Sequence, residues 1–142
     1  MIDYRIYDET QEGTEISDGF FEGWPNTPDK ETHRNIMRSS YRTIIAVDIE
    51  TDMIIGFVNI LSDGVLSAYI PLLEVISSYR GKGIGKRLFD MAMDLTSDLY
   101  MTDLICDHDL TPFYKKAGMI EGHAMMRRNY GSQKGRKTKK NH

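Results

Sequence analysis

Residues 80–86 read RGKGIGK, placing Gly81, Gly83 and Gly85 at alternate positions where the apolar run VLSAYIPLLEVIS gives way to a helical pattern. A glycine in regular structure gives up about 0.5–1 kcal/mol relative to alanine, so three together need a compensating purpose. At a strand-to-helix junction, glycines leave several backbone N–H groups unshielded at the positive end of the helix dipole, which suits an anion. Arg80, Lys82, Lys86 and Arg87 add four cationic side chains within eight residues, enough to complete the neutralisation of a pyrophosphate.

The chain has 142 residues, 40% of them hydrophobic and 27% charged, which fits one globular domain and excludes collagen-like or wholly disordered classes. No apolar run approaches the roughly 20 residues of a membrane helix, and MIDYRIYDET lacks a basic then apolar leader, so a cytoplasmic protein is expected. The single cysteine, Cys106, reads as a small residue at the end of a strand. A net charge of −3 hides an asymmetry: KGRKTKK at 134–140 carries five of the 18 basic residues, leaving residues 1–130 at −8. We therefore expect a single domain over 1–130 and a basic, flexible tail over 131–142. Nucleic acid is not expected as a partner except through that tail, and a homodimer is compatible with the sequence.

IDYRIYD reads as an opening strand. Residues 16–40 read as two short helices broken around WPNTP, because Pro25 and Pro28 forbid one continuous helix. YRTIIAVD and MIIGFVNIL form a predicted hairpin across IETD. The next strand contains Pro71, which has no N–H for a ladder and so marks an edge or a bulge. Apolar residues at Ile84, Leu88, Phe89, Ala92, Leu95 and Leu99 describe one face of a helix. MTDLICD follows as a strand. TPFYKKAG has the grammar of a short helix, with Thr111 as cap, Pro112 in the first turn, Lys115 and Lys116 in the last, and Gly118 as a left-handed stop. Met119–Tyr130 reads as a final strand or hairpin arm. This alternation favours an α/β layered sheet.

Spacing narrows the anion. A Walker loop needs GxxxxGK followed by Ser or Thr, whereas here Lys86 is followed by Arg87. A Rossmann fingerprint needs GxGxxG, whereas this loop is GxGxG, so a nucleotide-binding α/β domain is disfavoured. VISSYRGKGIGKRLF instead resembles motif A of the GNAT acetyltransferase superfamily: Arg or Gln, two residues, Gly, one residue, then Gly or Ala, met by Arg80, Gly83 and Gly85. FYKKAGM resembles the motif after that family's next strand, through Phe113, Tyr114, Gly118 and Met119. The likeness covers about residues 40–130.

The resemblance implies a mixed, mostly antiparallel central sheet with helices on both faces and a splayed pair of central strands. It implies acetyl-CoA as acetyl donor, its pyrophosphate on the backbone of Arg80, Gly81, Lys82, Gly83, Ile84, Gly85 and Lys86. The pantetheine arm would pair with the strand ending Leu73, Glu74, Val75, where Phe113 and Tyr114 complete the cofactor site. N-acetyl transfer to a primary amine of a small molecule or protein follows as the expected reaction. Tyr114 is the candidate acid, since a phenol near pKa 10 is protonated at neutral pH. An N–H near Val75 would polarise the thioester. Glu74 is the candidate base; Tyr69 stands near where some relatives carry a catalytic glutamate, and His108 is a weaker alternative. Trp24, Phe20 and Phe21 are candidate acceptor walls. A non-catalytic acyl-CoA-binding module or sensor, with its tail on nucleic acid, is the competing reading. No metal site is expected.

Overall fold

Strand alternation in the first half and helical periodicity in the second build one six-stranded mixed sheet carrying three α-helices, seen in a computed structural model that describes residues 1–137. The strands are β1 (Ile2–Ile6), β2 (Glu15–Ile16), β3 (Arg42–Asp48), β4 (Met53–Ser62), β5 (Ser67–Val75) and β6 (Met101–Asp103). The helices are α1 (Lys30–Ser39), α2 (Ile84–Leu95) and α3 (Thr111–Lys116). Sheet order is β1-β3-β4-β5-β6, antiparallel as far as β5 and parallel between β5 and β6. The short β2 pairs parallel with Met53 and Ile54, beyond the point where β5 leaves β4.

The helices lie on opposite faces. Phe57 of β4 meets His33 of α1 at 4.5 Å between ring centroids. Its neighbour Gly56 faces α2, where a Cβ would sit 3.3 Å from Leu88 and 3.2 Å from the Glu74 carbonyl. Successive strand residues point to opposite faces, so this pair fixes the layering, and glycine at 56 lets α2 lie close to the sheet. The expected α2 face is buried at Ile84, Leu88, Phe89 and Ala92, and Leu99 lies past the helix end. Asp29 caps α1, accepting from the Thr32 amide at 2.8 Å.

Pro71 sits in a bulge. Asn59 pairs with Leu72 and Leu61 with Tyr69, so Ile70 and Pro71 together oppose Ile60. Buried Asn59 repairs the ladder there, its side-chain oxygen accepting from the Leu72 amide at 3.1 Å.

Four sequence expectations are corrected. Only one helix forms between residues 16 and 40: Gly19, Phe21 and Gly23 all have positive φ, which a right-handed helix cannot contain. MTDLICD contributes only Met101–Asp103 to the sheet, because residues 104–107 have no ladder partner. Leu110, not Thr111, occupies the N-cap position of α3, and Thr111 is already helical. Residues 119–129 form no strand; MIEGHAMMRRN lacks the period-two alternation that holds a half-buried strand in register. Gly118 does take the left-handed stop, at φ +97°. The stretch Gln133–Lys137 lies against the α1 end: the Gln133 side chain accepts from the Asn26 amide at 3.0 Å, and Lys137 pairs with Asp29. The remaining tail, 138–142, is outside the described residues. No helix among the described residues is long and apolar enough to cross a membrane.

His33 is 2% exposed among Phe20, Phe21 and Phe57, and its Nε2 has no hydrogen-bond partner among the described residues. Burial, helped by the Arg34 charge, pushes its pKa down to about 4. An imidazole in the unfolded chain titrates near 6.5 and takes up its proton first, so stability falls as pH drops from about 6.5 towards 4. The loss should be on the order of 3 kcal/mol. Urea melts across that range should show His33→Leu with a shallower acid slope than the parent; an unchanged slope would clear His33 of the effect.

Candidate functional site

Pairing between β5 and β6 covers only Ser67–Tyr69 against Met101–Asp103. Beyond it the strands part. The Ile76 amide donates to the Ile55 carbonyl at 3.0 Å, which sets the phase of the β4–β5 ladder. With Phe57 opposite Glu74 and Gly56 opposite Val75, hydrogen-bonded pairs alternate with open ones, so Leu73 and Val75 turn their amides away from β4 and into the gap. A cavity of about 640 Å³ opens there, between Ile70–Glu74 on one side and Leu104–Asp107 on the other. Tyr114 and Leu110 close one end; Trp24, Met126, Arg128, Asn129, Tyr130 and Gln133 wall the other.

The glycine loop leads from the end of β5 into α2. Gly83 is the N-cap of α2 at φ +81° and makes no side-chain cap. Gly81 is also left-handed, at φ +78°. Among the described residues, the amides of 81 to 86 have no acceptor. A Cβ at Gly81 or Gly83 would meet nothing within 4 Å. What faces the loop is therefore open space bordered by unpaired donors, the environment in which an anion is bound at a helix start.

The cationic side chains divide. Lys82 lies over the Tyr79 ring with its Nζ 5.2 Å from the centroid, and Arg87 over Tyr4 at 5.8 Å. Lys86 pairs with Asp90 at 2.7 Å. Arg80 is largely occupied by the scaffold: its Nε donates to the Val75 carbonyl at 2.9 Å and its Nη1 reaches Glu22 at 3.3 Å. The guanidinium thus fixes the end of β5 relative to the loop.

Leu73, Glu74 and Tyr114 come together in the cavity lining, while Arg80–Lys86 form the adjoining loop. Phe113 packs its ring on Tyr114 at 4.9 Å and on Phe89 at 6.3 Å, supporting the phenol. Glu74 is half-buried, and its Oε1 accepts from the Phe21 amide at 2.7 Å. Burial raises its pKa, against the lowering effects of that amide and of the Arg80 charge. Burial also drives Tyr114 up to about 12, with a smaller contribution from Cys106. One wall thus carries a carboxylate made more basic, and the other a phenol held firmly protonated. Such a pair can accept a proton at one end of a reacting centre and donate a hydrogen bond at the other.

Of the three aromatic residues expected as acceptor walls, Trp24 lines the cavity, whereas Phe20 and Phe21 point into the core. Phe21 enters the site through its main chain instead. Arg128, Asn129, Tyr130 and Gln133 had no local signal beyond their polar character, since only the return of the C-terminal segment brings them to the cavity. Tyr69 lies on β5 before the parting, and His108 falls in a turn outside the cavity lining. Among the described residues, no three His, Cys, Asp or Glu side chains are grouped to hold a metal ion.

Residues 5–119 match the model of the acetyltransferase (GNAT) family. A candidate acetyltransferase from Deinococcus radiodurans R1 superposes with a TM-score of 0.86 at 40% identity, over 94% of this chain and 92% of that one. A Trypanosoma brucei acetyltransferase shares the fold at 20% identity and a TM-score of 0.71, covering 91% of this chain and 99% of its own. So does glucosamine-6-phosphate N-acetyltransferase from Arabidopsis thaliana, at 20% identity, TM-score 0.67 and coverages of 91% and 98%. No curated protein matches. The matched family model spans the glycine loop, the parted strands and the Tyr114 helix alike, and the chain belongs to the GNAT acetyltransferase family, whose members typically use an acyl-CoA donor.

Proposed function

We propose that the protein transfers an acetyl group from acetyl-CoA to a primary amine by direct attack of the amine on the thioester. The observation that carries this reading is two sets of free main-chain donors that follow one another along the chain: the outward-facing amides of Leu73 and Val75, then the unpaired amides from Gly81 to Lys86. A pantetheine arm is built from amide groups and can pair with the former, while a diphosphate suits the latter.

The amine arrives as an ammonium ion, attracted to Glu74, whose raised pKa makes it a better proton acceptor than an exposed carboxylate. The neutral amine then attacks the thioester carbonyl; as the C–S bond breaks, the extra proton on nitrogen passes to the departing sulfur, which leaves as the thiol, and Glu74 returns its proton to solvent. The Val75 N–H, fixed by the strand, is the donor for negative charge growing on that oxygen. Tyr114 serves the sulfur. A thiol of the cysteine type titrates near 8.5, so a phenol at about 12 keeps its proton and stabilises the departing sulfur by a hydrogen bond. Attack on the thioester needs no covalent enzyme intermediate, so the half-buried Cys106 is not called on as a nucleophile.

Acetyl-CoA should raise the melting temperature, whereas pantetheine, lacking the phosphates, should not. Gly83→Val should erase that rise, because a branched side chain is strained at φ +81° and would stand where the diphosphate approaches. A full thermal shift in this variant would remove the phosphate cradle.

Tyr114→Phe should leave the acetyl-CoA Kd unchanged and lower kcat by about 100-fold in a free-thiol release assay over pooled amines. An unaltered kcat would exclude the phenol, and a parent enzyme releasing no thiol with any amine would favour the sensor reading.

Glu74→Gln should reduce kcat/KM and abolish its acid limb, yet raise the melting temperature at neutral pH. Glutamine can still accept from the Phe21 amide without keeping a charge in a half-buried place. Lower stability at neutral pH would show that the carboxylate is chiefly structural.

A further inference from the structure

Phe21 has φ +60°, a left-handed conformation that large side chains rarely adopt. It is 3% exposed, and the Trp24 amide closes a turn on its carbonyl at 3.1 Å. Its ring is held by Trp24, His33 and Phe57, at centroid distances of 4.9, 5.0 and 6.4 Å. That backbone angle aims the Phe21 N–H at Glu74 Oε1, which lies 53 residues away in sequence. Glu74 Oε2 has no partner among the described residues, and the carboxylate lines the cavity. The next residue, Glu22, reaches Arg80, and Arg80 in turn holds the Val75 carbonyl. Two adjacent residues of one turn therefore grip the end of β5, one through a main-chain amide and one through an ion pair.

We propose that the turn at Phe21 is a positioning element for the catalytic base: its amide fixes Oε1 of Glu74 and leaves Oε2 to receive the acceptor's proton, with His33 and Phe57 holding the turn in its left-handed form. This rests on the reading of Glu74 as base. An exposed ion pair such as Glu22–Arg80 contributes little, so the ring contacts carry the turn. An unconstrained carboxylate in the cavity would spend part of its time turned away from the amine. One tied through Oε1 presents a single oxygen to it.

The groups facing Glu74 are Arg80 in the loop after its own strand, Glu22 beside the turn, Cys106 and Asp107 beyond β6, Tyr114 on α3, and Arg128 and Tyr130 on the C-terminal segment. Phe21→Leu alters none of them. Leucine keeps the niche apolar and water out, but lacks the flat ring that locks the turn, so the carboxylate loses its donor while staying buried. The acid limb of kcat/KM should move up by about one pH unit, with the rate recovering at alkaline pH. Glu22→Gln, which removes the exposed ion pair but keeps the Phe21 amide on Oε1, should move the limb far less than Phe21→Leu does.

A rate lowered equally at every pH would make the turn merely structural and overturn the inference. A second measurement does not depend on the variant: in the intact protein, the Phe21 amide proton should titrate in NMR spectra together with the Glu74 carboxyl, and that titration should vanish in Glu74→Gln. An amide that ignores the carboxyl would also overturn it. If Glu74→Gln removes the acid limb while Phe21→Leu leaves it unmoved, the base stands and the positioning role falls. If Glu74→Gln leaves the limb intact, the base reading fails, and this inference with it.

Discussion

From Ile70 onward β5 is paired with β4 on one side and faces a gap on the other, because its ladder with β6 has ended at Tyr69. Main-chain donors and acceptors turned into such a gap are costly unless something satisfies them. The surrounding sequence accommodates that gap. Pro71, lacking an N–H, occupies the bulge just after the last β6 pair, and Asn59 supplies a side-chain acceptor for the adjacent Leu72 amide. Arg80 takes the Val75 carbonyl, while the Val75 N–H faces away from β4. The same parting creates the cavity, and the glycine loop follows in the chain just past the parted end of β5.

What could be read beforehand was local. The hairpin across residues 49–52, the α2 face and the breakers Pro71 and Gly118 each follow from one residue or one period, and each stands in the structure. The glycine cluster belongs with them, because a run of unpaired amides needs only a strand, a turn and a helix start. Residues 17–28 were not legible. Phe21 carries no glycine-like signal, and its left-handed angle exists because distant rings on α1 and β4 hold it there. The strand expected over 119–130 failed for a related reason: apolar content invited it, but nothing alternated to fix a register. The engagement of Arg80 by Val75 and Glu22 has no signal in the local sequence, because both partners are brought to it by the fold.

The destabilising features gather on the α1 face and around the cavity. A left-handed phenylalanine costs on the order of 1–3 kcal/mol. His33, close by, is neutral and buried, with an orphaned nitrogen. Glu74 adds a charge that burial disfavours. Surface ion pairs such as Lys86–Asp90 and Lys115–Glu121 return only fractions of a kcal/mol each, so they do not offset this. The apolar core does, with β3 and β4 almost wholly buried beneath the helices.

Burial acts on Glu74 and Tyr114, two of the titratable groups lining the cavity, in the same sense, yet suits them to opposite uses. Removing water disfavours the charged form of both Glu74 and Tyr114, raising each pKa. For a carboxylate that must take a proton from an amine, a higher pKa narrows the gap to its partner and makes transfer easier. For a phenol already protonated at neutral pH, a rise to about 12 keeps its hydrogen in place as a donor throughout turnover. At Glu74 the Phe21 amide and the Arg80 charge both work against burial and limit the rise. Among the described residues no donor reaches the Tyr114 oxygen, and there burial and the nearby Cys106 act in the same direction. In the proposed mechanism, the contrast between base and donor thus rests on an amide and a cation that oppose burial at Glu74 and have no counterpart at Tyr114.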